Sequence, residues 1–185
     1  MLKNTYWVWH NAVSPEVCDH VVKSTDWNMA TDGVISSEKN LMEVTDYAVR
    51  VTSVVWADNL SIMGCVNHAY IHAANVNADW NFKFDSFEKT QLGRYGVDGH
   101  YDWHKDAFAP INGRQRKLSI SVLLNDPSEF SGGDFEFKEL APEQQAVMGK
   151  GSILVFPSFL EHRVKPVTKG QRFSAVCWAS GPAFA

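Results

Sequence analysis

The second half of the chain alternates apolar and small polar residues in short segments separated by turn residues. Residues 116–124 show this most clearly, because Leu118, Ile120 and Val122 share one parity and serines occupy the positions between them. Side chains alternate between the two faces of a β-strand, so a period of two predicts a strand. Further strands are predicted at 80–84, 90–95, 134–138, 152–156 and 171–179. Turn signals recurring about every dozen residues are typical of a sandwich or barrel.

Helices are predicted only in the first half of the chain. Positions 14–16 supply an N-cap serine, a proline at the first helical position and an acid in the first turn, which predicts a helix over 15–25. Apolar residues at helical spacing predict a longer helix over 56–76. The other predictions for this half are a short strand at 5–9 and a loop with one or two strands at 31–45.

These elements predict a mainly β protein with N-terminal helices, of the α+β class. About eight strands following the helices suggest a double-stranded β-helix, or jelly roll. We expect one domain over 1–185, with a helical support region at 1–79 and a jelly-roll core at 80–180.

Composition argues against some classes of binding partner and indicates the cellular compartment of the protein. A formal net charge of -4 gives no reason to expect nucleic-acid binding, and no apolar run approaches the roughly 20 residues of a membrane helix. The N-terminus lacks the apolar block of a signal peptide. The three cysteines are widely spaced and odd in number, which favours reduced thiols over disulfides or a zinc site. We therefore expect a cytoplasmic protein with neither nucleic-acid nor membrane partners.

His104 and Asp106, a histidine and an aspartate two residues apart, are the first candidates for a metal site. In an extended strand both would project from the same face. With one further histidine they would form the two-histidine, one-carboxylate facial triad of non-haem Fe(II) oxygenases. The triplet alone is a weak signal, since the chain has seven histidines.

Two later residues supply parts that such a site needs. His162 follows the turn at 157–158 and can be carried across the mouth of a barrel toward the His104 strand. Arg172 opens the last predicted strand and shares a face with Trp178. Burying an arginine is costly unless it meets an anion, and a guanidinium can hold a carboxylate through two parallel hydrogen bonds. The expected anion is the distal carboxylate of a dicarboxylate cosubstrate.

The chain resembles the Fe(II)- and 2-oxoglutarate-dependent dioxygenases of the prolyl-4-hydroxylase type, and most closely the PKHD-type hydroxylases of bacteria and phages. The resemblance covers roughly residues 80–180, about half of the chain. The matching segments are Tyr95 with the stretch 99–106, then 118–126, 131–134, 151–158 and 162–172.

The resemblance implies a role for each residue that matches a family position. His104, Asp106 and His162 correspond to the iron ligands, and Arg172 corresponds to the 2-oxoglutarate anchor. Tyr95 matches the tyrosine whose hydroxyl helps to hold the same carboxylate.

Two aromatic residues match positions that line the pocket. Trp178 corresponds to an aromatic wall residue, and Tyr101 to a tyrosine three residues before the first iron ligand. Strict alternation would place Tyr101 on the opposite face from His104, so a β-bulge or a late strand start is needed if Tyr101 lines the site.

The activity implied is hydroxylation by Fe(II), 2-oxoglutarate and O2, with ascorbate as reductant, in the cytoplasm of a bacterium or a phage-infected host. The substrate would be a prolyl residue of a protein or peptide, another residue or a small molecule. Two alternatives remain: a jelly-roll metal-binding module, and a cupin-like metalloprotein without 2-oxoglutarate turnover. The oligomeric state is left open.

Overall fold

The computed structural model of the chain describes residues 2–36 and 43–184. Within these residues the protein is mainly β, with two α-helices, as predicted. The helices are α1 (Pro15–Ser24) and α2 (Ile62–Asn77). The strands are β1 (Trp7–Trp9), β2 (Thr31–Asp32), β3 (Ile35–Ser36), β4 (Glu43–Val44), β5 (Arg50–Val51), β6 (Ser53–Ala57), β7 (Ser86–Phe87), β8 (Thr90–Tyr95), β9 (His100–His104), β10 (Arg114–Leu123), β11 (Phe130–Gly132), β12 (Phe135–Phe137), β13 (Ile153–Pro157), β14 (His162–Val164), β15 (Val167–Gly170) and β16 (Arg172–Pro182). Short 3-10 helices lie at Trp27–Met29, Pro127–Glu129 and Pro142–Gln144.

Two sheets make up most of the protein. The larger has the order β1-β13-β10-β16-β8-β6-β2, with β7 pairing to β16, and the smaller has the order β12-β14-β9-β5. Neighbouring strands in both sheets pair antiparallel. Two further strand pairs, β11 with β15 and β3 with β4, stand outside these sheets.

The larger sheet is buried on both faces at its centre. On β10, Leu118, Ile120 and Val122 are fully buried and belong to the same apolar cluster as Met63 and Ile71 of α2. The serines and leucine at the alternate positions of β10 are also buried, on the face that looks toward the smaller sheet. The helices therefore cover one face of the larger sheet and the smaller sheet covers the other.

The start of α1 follows the sequence prediction. The Ser14 hydroxyl accepts a hydrogen bond from the Val17 amide (3.3 Å), and Pro15 occupies the first helical position. The helix ends at Ser24, because Thr25 turns to an extended conformation and its hydroxyl donates to the Val21 carbonyl. Among the described residues, no helix has the length and hydrophobicity needed to span a bilayer.

The predicted start of the second helix at residue 56 is wrong. Trp56 belongs to β6 and pairs with Gln91 of β8. The helix begins only after Ser61, whose hydroxyl accepts the Gly64 amide and caps the first turn (3.1 Å). The turn at residues 58–61 breaks the apolar pattern that had suggested a continuous helix.

The strand predicted at 80–84 does not form. Asn81 has a positive φ of 53°, and the Asn75 side chain takes up both backbone groups of Phe82, at 2.9 and 3.0 Å. These bonds satisfy the backbone in place of a neighbouring strand. The predicted loop at 31–45 contains β2, β3 and β4, although its segment 37–42 lies outside the described residues.

Two glycines have similar backbone conformations but different surroundings, so substituting each one distinguishes the cost of backbone strain from the cost of a steric clash. Gly151 and Gly113 have φ of 75° and 72°, a region that costs other residues roughly 1–2 kcal/mol. A Cβ at Gly151 would lie 2.0 Å from the Val13 carbonyl oxygen, whereas one at Gly113 would meet no atom within 4 Å. We expect Gly113→Ala to lower the free energy of unfolding by about 1 kcal/mol, and Gly151→Ala by about 1–3 kcal/mol more. Urea unfolding followed by tryptophan fluorescence measures both; equal losses would contradict the clash.

Candidate metal centre

Three side chains with metal-binding atoms meet between the two sheets. His104 ends β9 and lies directly opposite His162, the first residue of β14. Asp106 lies two residues beyond β9, where its amide and that of Ala107 donate to the Ser158 carbonyl (both 2.9 Å). One oxygen or nitrogen from each of the three side chains lies within 4.8 Å of the others. The side chains of His104 and Asp106 therefore point to the same place, as predicted. The cause is the bend of the chain after β9 and not the alternation of side chains along a strand.

Hydrogen bonds to backbone carbonyls fix which histidine nitrogen faces the centre. His104 Nδ1 lies 2.7 Å from the Asp102 carbonyl oxygen, and His162 Nδ1 lies 2.9 Å from that of Leu160. A carbonyl only accepts, so each Nδ1 must donate, and the neutral ring then carries its lone pair on Nε2. The two Nε2 atoms lie 3.6 and 3.5 Å from the Asp106 carboxylate oxygens.

The charge states of these groups suit a divalent cation. Burial, reinforced by His162, lowers the pKa of His104 to about 3, which keeps the imidazole neutral. Burial alone would raise the pKa of Asp106, but His162, His104 and other neighbours outweigh it and lower the pKa to about 2. Neutral imidazoles and an ionised carboxylate are the forms that bind metal.

A β-bulge places Tyr101 on the same face as His104. Between the paired positions, β9 advances three residues from Tyr101 to His104, while β14 advances two from His162 to Val164. The extra residue reverses the side-chain parity of β9. The Tyr101 ring consequently stacks on the His104 ring, with centroids 3.4 Å apart. Burial raises the pKa of Tyr101 to about 12, so its phenol stays protonated.

Arg172 is a buried cation without an acidic partner. It opens β16 opposite Tyr95 of β8, and 3% of its surface is exposed. Among the described residues no carboxylate lies within 4.0 Å of its guanidinium, whose carbon is 5.5 Å from the centre of the Tyr95 ring. Burial lowers the pKa of Arg172, but a guanidinium remains charged in proteins. The arrangement can accept an anion.

All seven residues singled out from the sequence line one narrow cavity. The cavity is lined from the larger sheet by Gln91, Tyr95, Ser121, Phe156, Arg172, Ser174, Val176 and Trp178, and from the smaller sheet and the turn after β9 by Arg50, Tyr101, His104, Asp106, Phe135, His162 and Val164. A possible metal position and an anion-binding group therefore share one enclosure.

Residues 90–180, about half of the chain, match the family model of the 2OG-Fe(II) oxygenase superfamily. These residues belong to this superfamily. The resemblance inferred from the sequence motifs is thereby confirmed.

The chain is similar to known proteins in sequence and to solved structures in fold. A PKHD-type hydroxylase of Idiomarina loihiensis is 33% identical over 90 residues, which cover 49% of this chain and 41% of that protein. This chain spans about two fifths of the length of the curated relatives that it matches. Two solved structures share the fold: the viral collagen prolyl hydroxylase of Paramecium Bursaria Chlorella virus-1 (TM-score 0.69, 19% identity, 97% of both chains) and a Pseudomonas putida prolyl-4-hydroxylase (TM-score 0.71, 16% identity, 98% of this chain and 95% of that one).

Asn125, which the sequence reasoning left without a role, positions the buried arginine Arg172. Its side-chain nitrogen donates to the Gln171 carbonyl (2.8 Å), and its oxygen accepts the Phe173 amide (2.9 Å). The amide thus fixes the backbone on both sides of Arg172. An asparagine at the end of a strongly apolar strand was the only available signal.

A second buried arginine, Arg50, was also missed. Its guanidinium donates to the Gln91 side chain (2.6 Å) and the Val34 carbonyl (3.0 Å), and lies 4.6 Å from the centre of the Tyr101 ring. It is 5% exposed, and none of these partners is acidic. The only sequence signal was an arginine between two valines in an otherwise weakly patterned segment.

Trp178 is held in place by a third arginine. The Arg116 guanidinium lies 3.9 Å from the centre of the Trp178 ring and is paired with Glu88, with Nε 2.6 Å from Oε1. Burial would lower the pKa of Arg116, but the Glu88 carboxylate outweighs burial and raises it. The Trp178 indole, which forms part of the cavity wall, is therefore fixed from outside by an ion pair.

The lowered pKa of His104 predicts acid sensitivity of the metal-free protein. The unfolded chain takes up a proton near pH 6.5, whereas folded His104 does so only near pH 3, so stability falls as the pH drops through this window. The loss is at most about 1.4 kcal/mol per pH unit, or about 2 kcal/mol by pH 5. Urea unfolding in the presence of a chelator measures the free energy of unfolding at pH 7 and at pH 5. The decrease between the two pH values should be about 2 kcal/mol smaller in His104→Gln than in wild type.

The matched control for this prediction is His20→Gln, which changes an exposed histidine of α1. It should keep the wild-type difference between the two pH values. A His104→Gln variant that loses as much stability as wild type would contradict the assignment.

Proposed function

We propose that this protein is a 2-oxoglutarate- and O2-dependent hydroxylase that uses Fe(II). The observation that carries the proposal is the joint placement of His104, Asp106 and His162 with the unpaired guanidinium of Arg172 in one cavity. Two neutral imidazoles and one carboxylate form the donor set of non-haem Fe(II) oxygenases. A buried arginine without a carboxylate explains why a carboxylate cosubstrate would bind beside them.

The residues present fit both groups by the chemistry of their donor atoms. His104 Nε2, His162 Nε2 and an Asp106 oxygen would hold the metal, since both Nδ1 atoms are engaged by the backbone. Arg172 would hold the distal carboxylate of 2-oxoglutarate through two charge-assisted hydrogen bonds, with Tyr95 opposite it on the neighbouring strand. When bound, Fe(II) would enable O2 to oxidise two molecules, with one oxygen atom entering 2-oxoglutarate as it becomes succinate and CO2 and the other hydroxylating the substrate.

The remaining wall residues orient the reactants and limit access of water. Tyr101 stacks on His104, and Phe135 stacks beside His162 with ring centroids 5.3 Å apart. These apolar contacts hold each imidazole in one plane. Trp178, backed by Arg116, closes another side of the cavity. Such a lining confines oxidation to a molecule that fits against it.

We propose a prolyl residue of a protein or peptide as the substrate. Support comes from the two solved structures that share the fold, because both are called prolyl hydroxylases. A proline ring also suits a narrow cavity that has the aromatic side chain of Trp178 in its wall. A small-molecule substrate is the competing outcome of the test below.

Further features of the proposal concern the fold and the conditions of activity. We propose that the two antiparallel sheets form a double-stranded β-helix, since the site residues come from facing strands of both sheets. Ascorbate is proposed as the reductant that keeps iron in the Fe(II) state. A single domain and a cytoplasmic location stay predictions, as do the individual roles of the site residues.

The alternatives explain less of the site. A jelly-roll metal-binding module, or a cupin-like metalloprotein without 2-oxoglutarate turnover, would account for His104, Asp106 and His162. Neither needs a buried cation beside them, and burying Arg172 without an anion is unfavourable. The hydroxylase accounts for both halves of the cavity.

Turnover tests the proposed function. Wild type incubated with Fe(II), 2-oxoglutarate, ascorbate and a set of proline-containing peptides should form succinate and add the mass of one oxygen atom to a peptide. His104→Ala removes one metal-binding nitrogen and should reduce both signals to background. The readouts are succinate quantification and peptide mass spectrometry. Equal succinate from wild type and His104→Ala would contradict the enzyme, and succinate without peptide oxidation would contradict the prolyl substrate.

The proposed anchor makes a separate prediction. Arg172→Gln removes the cation and should raise the KM for 2-oxoglutarate roughly 10- to 100-fold, since hydrogen bonds to charged groups contribute about 1.5–3 kcal/mol. Binding of Mn²⁺ in the absence of 2-oxoglutarate should be unchanged. Arg163→Gln is the control, because Arg163 pairs with Glu136 and does not line the cavity. An unaltered KM in Arg172→Gln would exclude Arg172 as the anchor.

A further inference from the structure

Two buried serines form a chain of hydrogen bonds that ends on the Asp106 carboxylate. The Ser119 hydroxyl donates to Asp106 Oδ2 (2.7 Å), and the Ser119 and Ser158 hydroxyl oxygens are 2.9 Å apart. Both serines are fully buried, and Asp106 is 5% exposed. These hydroxyls therefore cannot exchange their partners freely with bulk water.

The direction of this chain follows from the number of protons. A carboxylate oxygen accepts hydrogen bonds, so the single hydroxyl proton of Ser119 must point at Asp106 Oδ2. Ser119 then has no proton left for Ser158, and Ser158 must donate to Ser119. The polarity runs from Ser158 through Ser119 to Asp106, an order in which each bond strengthens the next.

Ser158 also holds the backbone of the same turn. Its carbonyl accepts the amides of Asp106 and Ala107, both at 2.9 Å. The carboxylate is consequently fixed at two points, through the main chain at Ser158 and through the side chain at Ser119. Oδ1 accepts no hydrogen bond from the residues that the structure describes, and it lies 3.6 Å from His104 Nε2.

We propose that Ser119 is a positioning residue for metal binding, which holds the Asp106 carboxylate in one rotamer with Oδ1 directed at the metal position. Ser158 acts through Ser119. This inference rests on the metal site of the proposed function but does not require turnover. Partners of metal-binding side chains commonly change metal affinity 10- to 100-fold when they are removed.

The chain offers a matched control in Ser121. It lies on the same face of β10, two residues further on, and is 4% exposed. Its hydroxyl makes no hydrogen bond with Asp106, His104 or His162 within the described part of the chain. Ser121→Ala removes the same atom from the same strand and from the wall of the same cavity, but it leaves the hydrogen bond to Asp106 in place.

The experiment measures Mn²⁺ binding to metal-free protein by titration calorimetry, with thermal unfolding of each metal-free variant. We expect Ser119→Ala to weaken Mn²⁺ binding roughly 10- to 100-fold and Ser158→Ala to weaken it less, because the Ser158 carbonyl remains. Ser121→Ala should bind like wild type. Ser119→Thr, which keeps the hydroxyl, should restore most of the affinity.

The outcomes distinguish a role of Ser119 in positioning Asp106 from a general role in the stability of the fold. Mn²⁺ affinity within about twofold of wild type in Ser119→Ala would overturn the proposal, and so would an equal loss in Ser121→Ala. If the added methyl group of Ser119→Thr prevents folding, the order of affinities among the three alanine variants decides alone. If the Mn²⁺ affinities follow the expected order but wild type does not turn over 2-oxoglutarate, the proposed function is refuted and the positioning role of Ser119 stands.

Discussion

The structure depends on one strand, β10, that is buried on both faces. One face packs against the helices through three fully buried aliphatic residues, which fixes the strand in the middle of the protein. The other face places Ser119 beside Asp106 and Ser121 in the cavity wall. Arg116 and Asn125, at the two ends of this buried stretch, hold Trp178 and the start of β16. A shift of β10 by one residue would exchange its faces and dismantle both the core and the site.

The cavity concentrates groups that are costly to bury. Arg172 and Arg50 are almost fully buried without acidic partners, and Asp106 is ionised in the same enclosure. Desolvation of such charges opposes folding, so the aliphatic core must outweigh it. A metal ion and a dicarboxylate that bind only the folded state would supply the missing counter-charges and stabilise the protein by mass action. Buried charges of both signs that lack counter-charges are expected in a site that binds a cation and an anion.

Sequence patterns predicted the parts that depend on local periodicity. The strands β8, β10 and β16 and the capped helix α1 follow alternation or capping chemistry, which few neighbouring residues determine. The failures arose where distant residues decide. The strand expected at 80–84 is replaced by side-chain bonds from Asn75, and the helix expected from residue 56 loses Trp56 to pairing with β8. The partners of Arg50 and Ser119 could not be inferred from local sequence patterns, because they lie 41 and 13 residues away.

The two halves of the chain differ in how strictly their chemistry constrains the sequence. The family model matches only residues 90–180, whereas the shared fold extends over almost the whole chain. The helices in the first half need only cover β10 and its neighbours with apolar volume, and many combinations of aliphatic side chains achieve this. The second half must place particular atoms, such as Nε2 of His162 or the guanidinium of Arg172, and few substitutions preserve them. The match to the family model therefore lies in the half that carries the site, while the supporting half shares the fold of the two solved structures.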